Sequence, residues 1–260
     1  MKPRIGIILG DPGGIGPELI AKLLADPEVC EKADILLIGD RHLFEMGQAQ
    51  AGAEIEMVTC DANKGDWTDI SGLAIHERET IAADDVRLAE VTYANGHSAL
   101  SNLNCALEMA RDGIIDAITF GPFNKAALIE AGLGHEDELH HMAEFLGVEG
   151  YISELNTLNG IWTSRVSSHI ALKDVASYIT EHRITEAVHL IDRTLRRSGL
   201  SRPRLSVAAL NPHAGDNGNF GMEEIEVINP TVETLQAKHC LLYTSPSPRD
   251  QRGSRMPSSA

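Results

Sequence analysis

Short apolar runs alternate with helix-length amphipathic segments along most of this chain. Arg4–Leu9 predicts a buried strand and Gly10–Gly16 a loop. Pro17 then suits a first helical turn, where its missing N–H costs nothing, and Glu18 complements the helix dipole. That helix is expected to end near Asp26-Pro27. Ile35–Ile38 reads as a second strand, Arg41–Ala51 as a helix and Glu54–Val58 as a third strand. A helical pattern covers much of Asp84–Arg111, with Gly96 expected to interrupt it, and Ile114–Phe120 returns to strand before Gly121-Pro122. Glu136–Leu146 and Thr185–Ser198 look helical, Ile161–Ser168 and Arg204–Leu210 strand-like. Strands of this length separated by helices imply parallel pairing with covering helices, an α/β class.

Composition narrows what such a fold does. The 260 residues suit one large domain or two modest lobes with a sizeable core. Against 22 basic residues stand 38 acidic ones, a net charge of −16, which argues against a nucleic-acid partner. No stretch approaches a membrane span, and the amino-terminal apolar run ends in Gly-Asp-Pro rather than a signal-peptide cleavage site. Cys30, Cys60, Cys105 and Cys240 are widely separated, as cytoplasmic free thiols would be. The tail at 241–260 differs in kind, with three Arg, one Asp, five Ser and three Pro. Without it the chain holds 37 acidic and 19 basic residues, a net of −18.

Candidate chemistry lies in three loops, each after an apolar run, where an open α/β sheet binds its ligands. The first is Gly10-Asp-Pro-Gly-Gly-Ile-Gly-Pro-Glu18. Its glycines and the helix start admit an anion, and a tight strand–helix connection explains them equally well. It is neither GxGxxG nor a Walker loop. The second runs from Gly121-Pro-Phe-Asn-Lys125 to Gly134-His-Glu-Asp-Glu-Leu-His-His141. Lys125 either meets an anionic ligand or is a solvated lysine. Glu136 and His140, and Asp137 and His141, stand i,i+4, so each pair either faces a metal or forms a local charge pair on an exposed helix. His135 stands at a loop mouth. The third region supplies Ser168-His169 and Asn211-Pro-His213-Ala-Gly215, two imidazoles at ends of strands expected to be parallel, an incomplete metal site by themselves.

With these loops in view, the chain resembles the 4-hydroxythreonine-4-phosphate dehydrogenase family of pyridoxal-phosphate (pyridoxine) biosynthesis and its catabolic relatives. GDPGGIGPE at 10–18, GPFNKAAL at 121–128, AGLGHEDEL at 131–139, SSHIALKDV at 167–175 and LNPHAGDNGNFGMEE at 210–224 carry the resemblance, in order, across 1–240. The resemblance implies a two-lobed fold of isocitrate/isopropylmalate dehydrogenase type, with approximate lobes 1–125 and 126–240. It further implies a cytoplasmic homodimer, NAD as oxidant and a divalent metal (Zn, Mg, Mn or Co). Carried over by motif, His169 and His213 are metal ligands, and His135 and Glu136 are substrate contacts. Asp11, Lys125, Asn211 and Asp216 line the cleft. The implied reaction oxidises, then decarboxylates, a small phosphorylated hydroxy acid, with the metal lowering the cost of charge on one oxygen in both steps.

Two departures shape this expectation. Biosynthetic members usually carry Thr where Glu136 stands, and a carboxylate beside a phosphate is repulsive unless it faces a cation or hydroxyl. A 4-phospho sugar acid therefore competes with 4-phosphooxy-threonine as substrate. The family's third metal histidine, in a YHDQG-type motif, has no counterpart after Glu224. From Leu241 the sequence reads as a non-native, disordered tail on a carboxy-terminally truncated member, expected to be weakly active or inactive. The rival readings are a dehydrogenase of a non-phosphorylated dihydrodiol or hydroxy acid and a non-catalytic ligand-binding protein.

Overall fold

The structure, a computed structural model, describes residues 2–135, 137–168 and 170–236, and the backbone of 242–244. It divides into two compact units, 1–149 and 150–260. Among the described residues no helix is long and apolar enough to cross a membrane.

The first unit is a parallel sheet covered on both faces. Its strands are β1 (Arg4–Ile8), β2 (Asp34–Gly39), β3 (Met57–Thr59), β4 (Leu73–Glu77) and β5 (Ala117–Phe120), in the order β3-β4-β2-β1-β5. The period-2 alternation explains both faces. Ile7, Leu9, Ile35, Leu37, Leu73 and Ile75 pack with α1 (Gly16–Leu24) and α3 (Arg41–Ala51) on one side. Ile8, Leu36, Ile38 and Ala74 pack on the other with Leu103 and Leu107 of α4 (Tyr93–Arg111). Strands buried on two faces read as continuous apolar runs, as β1 and β2 do. The strand β4 escaped that reading, because Ile75 is followed by His76-Glu77 at the sheet's rim.

Several boundaries differ from expectation for local reasons. The first helix stops at Leu24, and Asp26-Pro27 opens a second, α2 (Pro27–Lys32), with the Asp26 carboxylate accepting from the Glu28 N–H at 3.0 Å. Gly96 does not interrupt α4, which runs through it. A Cβ there would stand 1.9 Å from the Ala127 carbonyl, so the glycine lets α4 and α5 (Lys125–Glu130) approach closely. Both α5 and α6 (Glu138–Phe145) pack on α4, which carries the first unit on to Glu149 rather than 125.

The second unit is not one parallel sheet. Strands β6 (Asn156–Leu158) and β7 (Ile161–Thr163) form an antiparallel hairpin through Asn159-Gly160, both at positive φ (47° and 81°). Two such residues match the twist of a two-residue hairpin. A short α7 (Val175–Tyr178) precedes α8 (Glu181–Arg197), which is capped by Thr180. The helix α8 lays Ile184, Val188 and Leu195 against Leu205, Ile228, Val232 and Leu235, the last two from α9 (Asn229–Gln236). Strand β8 (Leu205–Val207) pairs in parallel with β9 (Leu242–Thr244). Apart from β9, the tail expected to be disordered lies outside the described residues.

Candidate functional site

The glycine loop after β1 is packed from both sides. Asp11 N–H donates to the Pro122 carbonyl at 3.0 Å, and the Ala89 N–H donates to the Gly13 carbonyl at 2.9 Å. A Cβ on Gly16 would stand 1.9 Å from the Leu9 carbonyl oxygen, and one on Gly121 would stand 2.3 Å from it. Asn95 of α4, fully buried, holds the flanking segment by donating to the Arg87 carbonyl at 2.8 Å. Asp11 is buried, with Oδ1 accepting the Gly13 N–H at 2.9 Å, so its carboxylate shapes its own loop.

At the end of β2, Asp40 is the residue a dinucleotide-binding sheet would offer to a ribose. Here it is 1% exposed and spent internally. Its carboxylate accepts from the Thr80 N–H at 2.7 Å, from the Ile81 N–H and from the Thr80 hydroxyl, which also meets Ser98 Oγ at 2.6 Å. This network ties β2 to the β4 exit.

The loop after β5 leads into the second motif. Asn124 caps α5, and the exposed Lys125 follows it; the Lys125 charge acts on Asp137. Asp137 caps α6, accepting both the His140 N–H (2.9 Å) and His140 Nδ1 (2.6 Å). Burial alone would raise its carboxyl, but the His140 bonds and the Lys125 charge prevail and hold it below the usual range. His140 is thus a capping partner of Asp137, three residues back, whereas the i,i+4 spacing predicts that Asp137 pairs with His141. His141 turns toward α4 and pairs with Asn104 Oδ1 at 2.7 Å. Burial, followed by the neighbouring His135, pushes its imidazole down, partly offset by Glu144. Half-buried His135 pairs through Nε2 with Glu144, its ring 6.2 Å from that of His141. Glu136 lies outside the described residues.

The loop after β8 is built differently. Asn211 Oδ1 accepts from the His213 N–H at 2.9 Å and the Gly215 N–H at 3.4 Å, and Asn211 Nδ2 donates to the Phe220 carbonyl. Ala214, Gly215, Asp216 and Asn217 all have positive φ, a strained run of backbone. His213 is half-buried with its ring 5.1 Å from Phe220, while Asp216 is exposed. Buried Glu224 lies beneath, with Oε1 accepting the Leu210 N–H at 2.9 Å.

The sequence pattern predicts His169 and His213 at the ends of parallel strands of one sheet, but β7 and β8 belong to separate sheets. His169 lies outside the described residues, and among the described residues no three donors gather as a metal site. Sequence reasoning missed Asn104, Glu144 and Glu224 as partners. Only the Asp137 cap carried a readable signal, an Asp just before a helix with Glu138 in its first turn.

The sequence profile of the family "Pyridoxal phosphate biosynthetic protein PdxA" matches residues 31–252. A Pseudomonas aeruginosa protein named "Putative 4-hydroxythreonine-4-phosphate dehydrogenase 2" is 48% identical over 232 residues, covering 89% of this chain and 68% of the relative. A Clostridium botulinum (strain Hall) protein named "Putative D-threonate 4-phosphate dehydrogenase" is 29% identical over 237 residues, covering 90% and 70%. Among solved structures, the 4-hydroxythreonine-4-phosphate dehydrogenase of Klebsiella pneumoniae superposes with a TM-score of 0.82 at 28% identity, covering 96% of this chain and 75% of that one.

Proposed function

We propose, from the premise that this chain belongs to the PdxA family, that it is built for NAD-dependent, metal-assisted oxidation and decarboxylation of a phosphorylated hydroxy acid. The family match over residues 31–252 carries this reading. The substrate is 4-phosphooxy-threonine or a 4-phospho sugar acid, in keeping with the two names its relatives bear. The same reading makes the protein a cytoplasmic homodimer.

Within the first unit, the exposed Lys125 supplies positive charge for a substrate phosphate, and Glu144 fixes the His135 ring for a substrate contact. Glu136 is the second contact in this proposal, and Asn211 and Asp216 are further contacts offered by the second unit. His169 and His213 would hold a divalent metal, which would supply Lewis-acid stabilisation of charge on a substrate oxygen. One described imidazole is an incomplete donor set for such an ion. NAD would supply the hydride acceptor. The first unit does not fit a dinucleotide fingerprint, because its glycine loop is filled by neighbouring protein atoms and Asp40 is already bonded.

Ligand binding is the primary test. Calorimetry with 4-phosphooxy-threonine and D-threonate 4-phosphate in the presence of Co²⁺ should show uptake of at least one. His135→Ala and His213→Ala should each weaken it by about tenfold or more. Uptake of a non-phosphorylated dihydrodiol in preference to both phosphates, or equal binding by both variants, would overturn the proposal.

A further inference from the structure

The LNPHAGDNGNFGMEE segment places one buried carboxylate under a strained loop. Glu224 is 4% exposed and opens a π-helical turn, Glu224–Ile228. Its Oε1 accepts the Leu210 N–H at 2.9 Å, where the chain leaves β8 for Asn211. Its Oε2 is buried and has no hydrogen-bond partner among the described residues. A Cβ built on Gly215 would stand 3.0 Å from that oxygen and 2.9 Å from the Gly221 carbonyl. The carboxylate therefore lies directly against the backbone of the residue two after His213.

Burying a carboxylate with one oxygen unpaired is costly, so an apolar residue would serve better if this position only filled space. The left-handed run at 214–217 adds a second cost that the loop's own bonds must offset. Asn211 supports the loop from within its span, by the His213 and Gly215 N–H groups. Glu224 supports it from outside, at Leu210 and against Gly215.

We propose that Glu224 is a positioning residue for His213. It pins the loop's entry at Leu210 and floors its turn at Gly215, so that the imidazole is presented in one place. This rests on the reading above that His213 serves the site.

Hydrogen exchange and ¹⁵N-histidine NMR on the full chain test it. Glu224→Ala removes both supports and should speed exchange in a peptide spanning 208–221 by about tenfold or more, while peptides from α8 stay unchanged. It should also move the ring signals of His213, assigned by loss in His213→Gln, and leave those of His182 and His189 in place. Glu224→Gln keeps an acceptor oxygen for the Leu210 N–H and should restore both readouts. If Glu224→Ala fails to fold, Glu224→Asp decides: it retains charge but withdraws it by one methylene, and should speed loop exchange.

Unchanged loop exchange and ring signals in the folded Ala variant, or in the Asp variant that replaces it, would overturn the proposal. So would exchange rising equally throughout 150–236, or failure of the Gln variant to restore. Wild-type protein that takes up neither Co²⁺ nor a phosphorylated acid would retire the functional reading alone. The exchange and NMR results would still decide the role of Glu224.

Discussion

The two loops that carry the strongest motifs, one in each unit, are held by opposite means. The Gly10–Gly16 loop is fixed by backbone packed on backbone, with Gly10, Gly13 and Gly16 where any side chain would collide. The Asn211–Gly218 loop is fixed by side-chain acceptors, Asn211 and Glu224, that hold a backbone bent into left-handed conformations. The first arrangement fails sterically and all at once. The second fails by losing one hydrogen bond at a time. Rigid framing suits a fixed contact surface in the first unit, and adjustable framing suits presentation of a ligating or contacting side chain in the second.

The largest expected effect breaks the first loop. Gly16→Ala places a methyl 1.9 Å from the Leu9 carbonyl, and no rotamer relieves a clash with backbone. We expect a loss of about 3 kcal/mol or more. The chain has two tryptophans, Trp67 packed in the first unit and Trp162 in the second. Urea unfolding followed by Trp67 fluorescence in a Trp162→Phe background reads the first unit selectively. A loss below about 1 kcal/mol would mean that the loop shifts easily and the contrast is wrong.

The second loop should respond in smaller steps. Asn211→Ala strands the His213 and Gly215 N–H groups and should cost about 1–3 kcal/mol, read through Trp162 in a Trp67→Phe background. Gly215→Ala should cost about 1 kcal/mol, well below Gly16→Ala, since alanine dislikes φ of 73° and its methyl would stand 2.9 Å from the Gly221 carbonyl rather than 1.9 Å from a backbone oxygen. If Gly215→Ala proves worse than Gly16→Ala, the second loop is the sterically locked one and the comparison inverts.

The same contrast decides what the sequence could show. The β1, β2 and α3 segments were legible because apolar periodicity and two-sided burial act within a few residues. The role of Gly16 was not, because its obstacle, the Leu9 carbonyl, is known only once the loop is folded. Gly96 misled for that reason: glycine disfavours a helix locally, and close contact with α5 outweighs that preference. In the second unit, Asn159-Gly160 was a readable hairpin signal that strand-and-helix alternation obscured. The motif around His213 was legible as a motif, but its dependence on Glu224 joins residues 14 apart through a hydrogen bond that no periodicity encodes.

The smallest effect concerns acid, and it falls on the first unit. Burial pushes the imidazoles of His76 and His141 below their ordinary value; nearby Arg78 adds to this at His76 and His135 at His141, against partial offsets from Asp61 and Glu144. A histidine with a depressed folded pKa binds a proton more readily when unfolded. Its neutral form therefore favours folding fully above the unfolded value, about 6.5, and that advantage fades as pH falls from there toward the folded value. Asp137 works in a lower window, because its depressed carboxyl keeps stability above about 3.9 and loses it only on further acidification. The Trp67 urea midpoint should thus decline modestly between pH 7.5 and 5.5, before any carboxylate contributes. His141→Gln keeps an N–H donor for Asn104 Oδ1 but removes the titration, and should flatten part of that decline. An undiminished slope in this variant would assign the acid response elsewhere, to His76 or to groups in neither loop.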